Sequence, residues 1–255
     1  MLYKSPTKLK EAGMRAIVLK SHAYPTAPLA DIVSQVVPNI TVFGSINLDF
    51  AVGGLNTHAL EASAKLGAKI AWMPTMSSVN DHKKTGLAEI GITIFDEEDK
   101  LLPVVAEILD IVKEHQMVLA TGHISAPEAF ALVDEARKKG ITKIVTTHPL
   151  AEGVGAHLSL GEQQRMAEKG AFIEHCVAVT MPNSPERLDP TKIVEAVRTV
   201  GAERCIMSTD VGTATNPIPV EAMRVGIALM LKFGLSEREI ELLVKVNPAK
   251  LLDLD

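Results

Sequence analysis

Two short apolar runs, in Met117-Val118-Leu119-Ala120-Thr121-Gly122-His123 and Lys143-Ile144-Val145-Thr146-Thr147-His148, each stop on a histidine. Between them, Ser125-Ala126-Pro127-Glu128 has the spacing of a capping box, in which the Ser side chain caps the third helical amide and the Glu reaches back. Ala129, Leu132, Val133 and Ala136 follow at helical spacing, and Lys138-Lys139-Gly140 supplies the cations and glycine of a helix end. The stretch is therefore a βαβ unit whose two strands both deliver a histidine at the C-terminal end. In a parallel sheet flanked by helices, that end is where ligands bind.

The same alternation extends along the chain. A helix over residues 4–13 leads to a strand at Arg15–Leu19 that runs into Lys20-Ser21-His22. A second strand spans Thr41–Ile46, a helix Leu55–Leu66, and a third strand Lys69–Met73, which opens into a polar loop at 74–82. Two apolar runs around the acidic turn Asp96–Asp99 predict a hairpin excursion, and a helix near Leu102–Val112 returns to the βαβ unit. After His148 come a Gly-rich loop, a helix at 160–169 and a strand ending on His175. A helix opened by Asp189-Pro190 then precedes the last strand, Cys205–Asp210. Helices at 219–233 and 236–245 follow, and the chain closes on Asn247-Pro248-Ala249-Lys250-Leu251-Leu252. With no linker or low-complexity segment, residues 1–255 read as one domain. Seven strands alternating with helices favour a parallel (β/α)8 TIM-barrel-like fold one strand short of eight. The composition agrees, because 47% hydrophobic residues with only 4% aromatics make a core of Val, Ile, Leu, Ala and Met, suited to strands buried on both faces.

A net charge of -5 without a basic cluster argues against nucleic acid and against an anionic membrane surface. No run approaches the roughly 18 apolar residues of a membrane span, and the N-terminus has no apolar signal core. The expectation is a soluble cytoplasmic protein in which Cys176 and Cys205 are reduced core thiols, with a disulfide as the alternative.

Parallel strands place their C-terminal residues around one mouth, so His22, His123, His148, His175 and Asp210 are candidates to converge. Neutral imidazoles with a carboxylate suit a divalent metal, zinc first, with manganese or iron as alternatives. Such an ion activates water, and Asp210 is placed both to bind it and to take the proton from that water. Lys20 shares a strand face with His22 and is a second catalytic candidate, against the plain alternative of a solvated or ion-paired lysine. His82 and His157 lie in loops at the same end, His58 and His115 on helix surfaces, and Trp72 and Met73 pack the barrel. The loop Ala151–His157 lacks the spacing of a phosphate-binding fingerprint.

The endings TGH at His123, TTH at His148 and STD at Asp210, with the terminal NPAKLL, resemble the amidohydrolase superfamily of metal-dependent hydrolases, in particular its small cytosolic members. The resemblance spans residue 15 to the C-terminus. It implies a TIM barrel in which His123, His148 and Asp210 hold metal and Asp210 is also the proton acceptor. The chain departs from that pattern in lacking the His-x-His of the first strand, and the first strand itself. Near Trp72–Thr75 it also lacks the Lys or Glu that bridges two metals, so one ion per chain is implied. The missing strand lies upstream of Met1, or the barrel is incomplete, in which case His22 and His175 are the local substitutes for the absent imidazoles. Either way two strand edges are left to be covered by the N-terminal segment, by a partner chain or by a seven-stranded closure, which favours a homo-oligomer. The expected function is hydrolysis of a C–N or C–O bond of a small molecule. The alternatives are a phosphoesterase of the histidinol-phosphatase type, a non-catalytic barrel that binds a ligand or serves assembly, and a metal-free lyase using Lys20. Specificity falls to the loops 23–40, 74–90 and 150–159.

Overall fold

Strand after strand pairs with its sequence neighbour in the computed structural model, which describes residues 5–212 and 215–254. The strands are β1 (Ala16–Val18), β2 (Thr41–Asn47), β3 (Ala68–Trp72), β4 (Val118–Ala120), β5 (Ile144–Thr146), β6 (Phe172–Cys176) and β7 (Cys205–Ser208), and every pairing is parallel. The α-helices are α1 (Ser5–Glu11), α2 (Ala27–Val36), α3 (Thr57–Lys65), α4 (Val79–Thr85), α5 (Pro103–Glu114), α6 (Ala126–Lys138), α7 (Leu160–Glu168), α8 (Pro190–Val200), α9 (Pro219–Lys232), α10 (Glu237–Glu241) and α11 (Asn247–Leu252). Among the described residues β1 pairs only with β2 and β7 only with β6, so the sheet is an incomplete TIM barrel of seven strands. Residue 4 of the expected first helix lies outside the described residues.

Alternation along the strands sorts the side chains into two layers. Val18, Ile70, Trp72, Val118, Ala120, Val145, Phe172 and Ile206 form the inner cluster, joined from below by Leu251 of α11. The residues between them, including Ala71, Leu119, Ile144, Ile173, Cys205 and Met207, pack outward with the helices. Both faces are thus apolar, and each fully buried large aliphatic side chain contributes roughly 1.5–3 kcal/mol. Trp72 packs inside the barrel and Met73 on the helix side. Both cysteines are free and buried.

Several expectations change. The loop expected at 23–40 contains α2, whose Ala27 and Ala30 are buried and whose Pro28 stands in the first turn, where a missing amide costs nothing. The loop at 74–90 contains α4, because Ser78 caps it by accepting from the Asp81 amide at 3.1 Å. His82 is therefore a helical residue. The expected hairpin reduces to a tight turn with one antiparallel bridge, Phe95 to Leu101. What fixes this excursion is Glu128 of α6, which accepts from the Ile94 amide (2.9 Å) and the Thr93 hydroxyl (2.6 Å) as well as from its own cap, Ser125 (2.8 Å).

The last helix continues past 245. Leu242–Val246 is a wide π turn between α10 and α11, placed where Pro248 has no amide to return to the carbonyl of Val244. Asn247 Nδ2 donates to the carbonyls of Ala202 and Cys205, both at 2.8 Å, and so ties this rod to the entry of β7. Among the described residues the seven strands do not close on themselves. Instead, Val220 of α9 and Leu9 of α1 pack together with Ile17 and Leu19, so the N-terminal helix covers the outer flank of β1. No helix among the described residues is long and apolar enough to cross a membrane.

Candidate functional site

His123 and His148 meet at the C-terminal ends of β4 and β5, with their Nε2 atoms 2.9 Å apart and their rings edge to face at 4.7 Å. Two local devices hold His123. Gly122 turns the chain at φ +61°, where a Cβ would fall 2.2 Å from the carbonyl oxygen of Met73, so only glycine fits. Asp81 of α4 then accepts from His123 Nδ1–H at 2.5 Å, an arrangement that fixes the tautomer and makes His123 Nε2 the acceptor of the 2.9 Å hydrogen bond from His148 Nε2–H. Ser78, the cap of that helix, and Asn80 in its first turn donate to the His123 carbonyl, at 3.0 and 2.9 Å.

His148 is held by backbone instead. Its φ is +25°, uncommon for any residue other than glycine. Gly155 packs so closely on its ring that a Cβ there would lie 3.0 Å from Cε1. The loop Ala151–His157 thus serves as a cover over the histidine pair. It is latched by Lys84, which donates to the carbonyls of Glu152 (2.9 Å) and Gly155 (2.8 Å). Asn80 donates to the Gly155 carbonyl at 2.6 Å, and Asp81 accepts from the Gly155 amide at 2.8 Å. Burial drives the pKa values of both His123 and His148 down, the nearby Asp81 partly opposing this at His123, so both imidazoles are neutral at pH 7.

His22, at the end of β1, comes next to this pair, its ring 6.5 Å from that of His123. Thr75 spends its hydroxyl proton on Asp49, so the 2.7 Å contact is His22 Nδ1–H donating to Thr75 Oγ1. This leaves His22 Nε2 free. Burial raises the pKa of Asp49, but hydrogen bonds from His22, Thr75 and the Ser77 amide outweigh it and hold the carboxyl down at about 2.

Lys20 shares the inner face of β1 with Val18, and its Nζ stands 5.2 Å over the Trp72 ring. Asp210 is exposed at the end of β7, with φ +50°, a second uncommon backbone angle at a strand end. Its charge is felt at both His123 and His148.

His175 borders a crevice with His148 but makes no hydrogen bond to either member of the pair. Phe172 of β6 belongs to the inner cluster and Ile173 to the helix-packed one, so alternation sends Glu174 inward and His175 outward. There it lines a crevice with His148, Glu174 and Ile193 of α8, too narrow for a water, and neither ring nitrogen has a hydrogen-bond partner. Burial pushes its pKa down to about 4. Glu174 takes the inner position instead, bonded to the Ser208 side chain; removal from water raises its pKa, against an opposing pull from Lys20. Neither Glu174 nor Asp81 was among the sequence candidates. The inward place of Glu174 follows from counting residues in pairs from Phe172, whereas nothing local links Asp81 to a histidine 42 positions later. Of the remaining histidines, His157 is exposed and His82 bonds the Glu89 carbonyl at 2.8 Å. His58 lies exposed on α3. His115 is more constrained than a surface residue, pairing with Glu61 at 3.0 Å.

The donor set can be tested against a metal. Two nitrogens about 2.0–2.1 Å from one ion stand about 3.3–3.4 Å apart at the tetrahedral angle of zinc and about 2.9 Å apart at right angles, as around a six-coordinate manganese or iron; the two Nε2 atoms are 2.9 Å apart. The pair therefore fits as two neighbouring ligands. Among the described residues, however, no three His, Cys, Asp or Glu side chains are grouped closely enough to hold an ion.

Solved structures share the fold at low sequence identity. An amidohydrolase from Pseudomonas aeruginosa aligns over 96% of this chain and 80% of its own, at 13% identity and a TM-score of 0.63. The phosphotriesterase homology protein from Escherichia coli, complexed with phosphate in its active site, aligns over 97% and 87%, at 13% identity and a TM-score of 0.65. A 2,6-dihydroxybenzoate decarboxylase from Rhizobium aligns over 100% and 89%, at 12% identity and a TM-score of 0.57. The barrel fold that the strand-end motifs implied is thus shared with these structures. No curated protein matches the sequence. The family that does match covers residues 4–174, more than half of the chain, and includes Lys20, His22, Asp81, His123, His148 and Glu174. By that match, the chain belongs to the Family of unknown function (DUF6282).

Proposed function

We propose that this chain is a metal-dependent hydrolase of a C–N or C–O bond in a small molecule, with one divalent ion held by His123 and His148. The observation that carries the reading is the 2.9 Å approach of two buried, neutral imidazoles at adjacent strand ends, one of them braced by a carboxylate. Asp210 and solvent are the sources of the remaining ligands. When bound, the ion would polarise the substrate carbonyl and lower the pKa of water.

The protein's own part follows from its residues. Asp81 keeps the proton of His123 on Nδ1, so that Nε2 carries the lone pair. Gly155 and the cover loop exclude water from the far side of His148. The Asp210 carboxylate takes the proton of the attacking water and returns it to the departing nitrogen or oxygen. His22, fixed through Thr75 and Asp49, offers Nε2 to a polar substrate group. A panel of amides, lactones and esters tests the reading, with a generic phosphomonoester as the contrast. Turnover of a member of the first set, lost in His123→Ala, supports it; turnover of the phosphomonoester alone would assign phosphoesterase chemistry instead.

That no third donor side chain is grouped with His123 and His148 among the described residues favours a second reading, a barrel that binds a ligand without turnover. Retention of ligand with no hydrolysis and no metal would select it. The unpaired edges of β1 and β7 support assembly with a second copy, for which the molar mass in solution by light scattering is the test: a monomer would exclude it.

A further inference from the structure

Lys20 is a cation of the barrel interior that, among the described residues, has no carboxylate against it. Its Nζ projects from the end of β1 across to the face of Trp72 on β3, 5.2 Å from the ring centroid. Among the described residues no carboxylate oxygen lies within ion-pair distance of it. Other lysines near the sheet are paired closely: Lys69 and Lys143 to Asp253, Lys139 to Asp110 and Lys169 to Asp134.

The surroundings of Lys20 mark it as part of the mouth. Its charge is felt at His123, His148 and Glu174, which places it over the same opening as the histidine pair. Glu174 feels the charge of Lys20 through space but makes its hydrogen bond to Ser208. A half-buried ammonium whose near contact is a ring face, with Glu174 attracting it only through space, has no charge-assisted hydrogen bond of its own. A ligand anion would supply the charge-assisted hydrogen bonds it lacks.

We propose that Lys20, standing over Trp72 at the mouth of the barrel, is the subsite for a carboxylate group of the small-molecule ligand. A single ammonium with Asp210 at the same rim suits one negative charge better than the two of a phosphate monoester. The assignment rests on the reading of this mouth as the substrate site, and it makes the substrate a carboxylic acid whose scissile bond lies toward His123 and His148.

Trp72 is the only tryptophan in the chain, so its fluorescence reports directly on the space beneath Lys20. The probes are sodium acetate, sodium succinate and inorganic phosphate, titrated at ionic strength held constant with chloride. The expected result is a saturable change with acetate and succinate. Lys20→Met should weaken it about tenfold or more, the loss of one charge-assisted hydrogen bond, while Lys20→Arg retains it. Met keeps the aliphatic stem on Trp72, and circular dichroism with a urea midpoint confirms that each variant is folded. A variant with both His123→Ala and His148→Ala should still bind acetate, so a failed hydrolase reading leaves this result intact. No saturable change in the native protein, equal binding by Lys20→Met, or tighter binding of phosphate than of either carboxylate would overturn the assignment.

Discussion

Replacing His175 by leucine should stabilise this protein, and more so in acid. Both ring nitrogens of His175 are buried without a partner, in a crevice too narrow for water. An unsatisfied buried polar group costs about 1–3 kcal/mol, so a leucine that fills the same space on the helix side should recover an amount of that order at pH 7.5. The pH dependence is the sharper signature. Burial lowers the folded-state pKa of His175 from 6.5 to about 4, so the native state resists the proton that the unfolded state accepts. Above pH 6.5 the group is neutral in both states and contributes nothing. As pH falls from 6.5 toward 4 it destabilises the fold, by about 1.4 kcal/mol at pH 5.5. His148, lowered to about 3 by burial first and by His123 second, adds a similar loss over the same interval. Urea unfolding at pH 7.5 and 5.5 measures both effects. The native protein should lose about 3 kcal/mol between them from these two residues, and His175→Leu about 1.4 kcal/mol less. A variant with the pH dependence of the native protein, or one destabilised by more than about 2 kcal/mol at pH 7.5, would refute the outward, unpartnered placement of His175.

Two further substitutions probe how the pair is held. Asp81→Asn removes the carboxylate behind His123 and should weaken divalent-metal affinity about 10–100-fold, read by competition with a chromogenic chelator; unchanged affinity would mean that Asp81 serves only the cover loop. Gly155→Ala puts a methyl group 3.0 Å from the His148 ring at a backbone φ of +67°. It should cost about 1–2 kcal/mol in urea unfolding, and the shift should shrink in a His148→Ala background, where the ring is gone.

The parts of this protein legible in its sequence are those written in local patterns. The βαβ unit from Met117 to Thr146 follows from two apolar runs and a capping box, and His123 and His148 emerge where it ends. The inward or outward sense of a strand residue is less legible, because strands apolar on both faces carry no polar alternation. His175 and Glu174 therefore exchange roles between sequence and structure, although pairing Phe172 with Glu174 two residues on would have set the sense. Helix α2 was hidden by proline on either side of its start and by small residues, Ala27 and Ala30, on its buried side. Asp81 and Gly155 act on the histidines only through tertiary contact, and no local spacing announces either. The open side between β1 and β7 was the plainest inference of all, since a missing strand leaves a count of seven whatever the details of packing.

The most direct test of the account is the metal content of protein purified without chelator, for the native chain and for a variant carrying both His123→Ala and His148→Ala, both checked for folding. About one equivalent of zinc, manganese or iron in the native protein, lost in the variant, is the predicted result. A native protein that takes up no divalent ion when supplied with one, or a variant that keeps it, would contradict the assignment of these two histidines as the metal-binding pair.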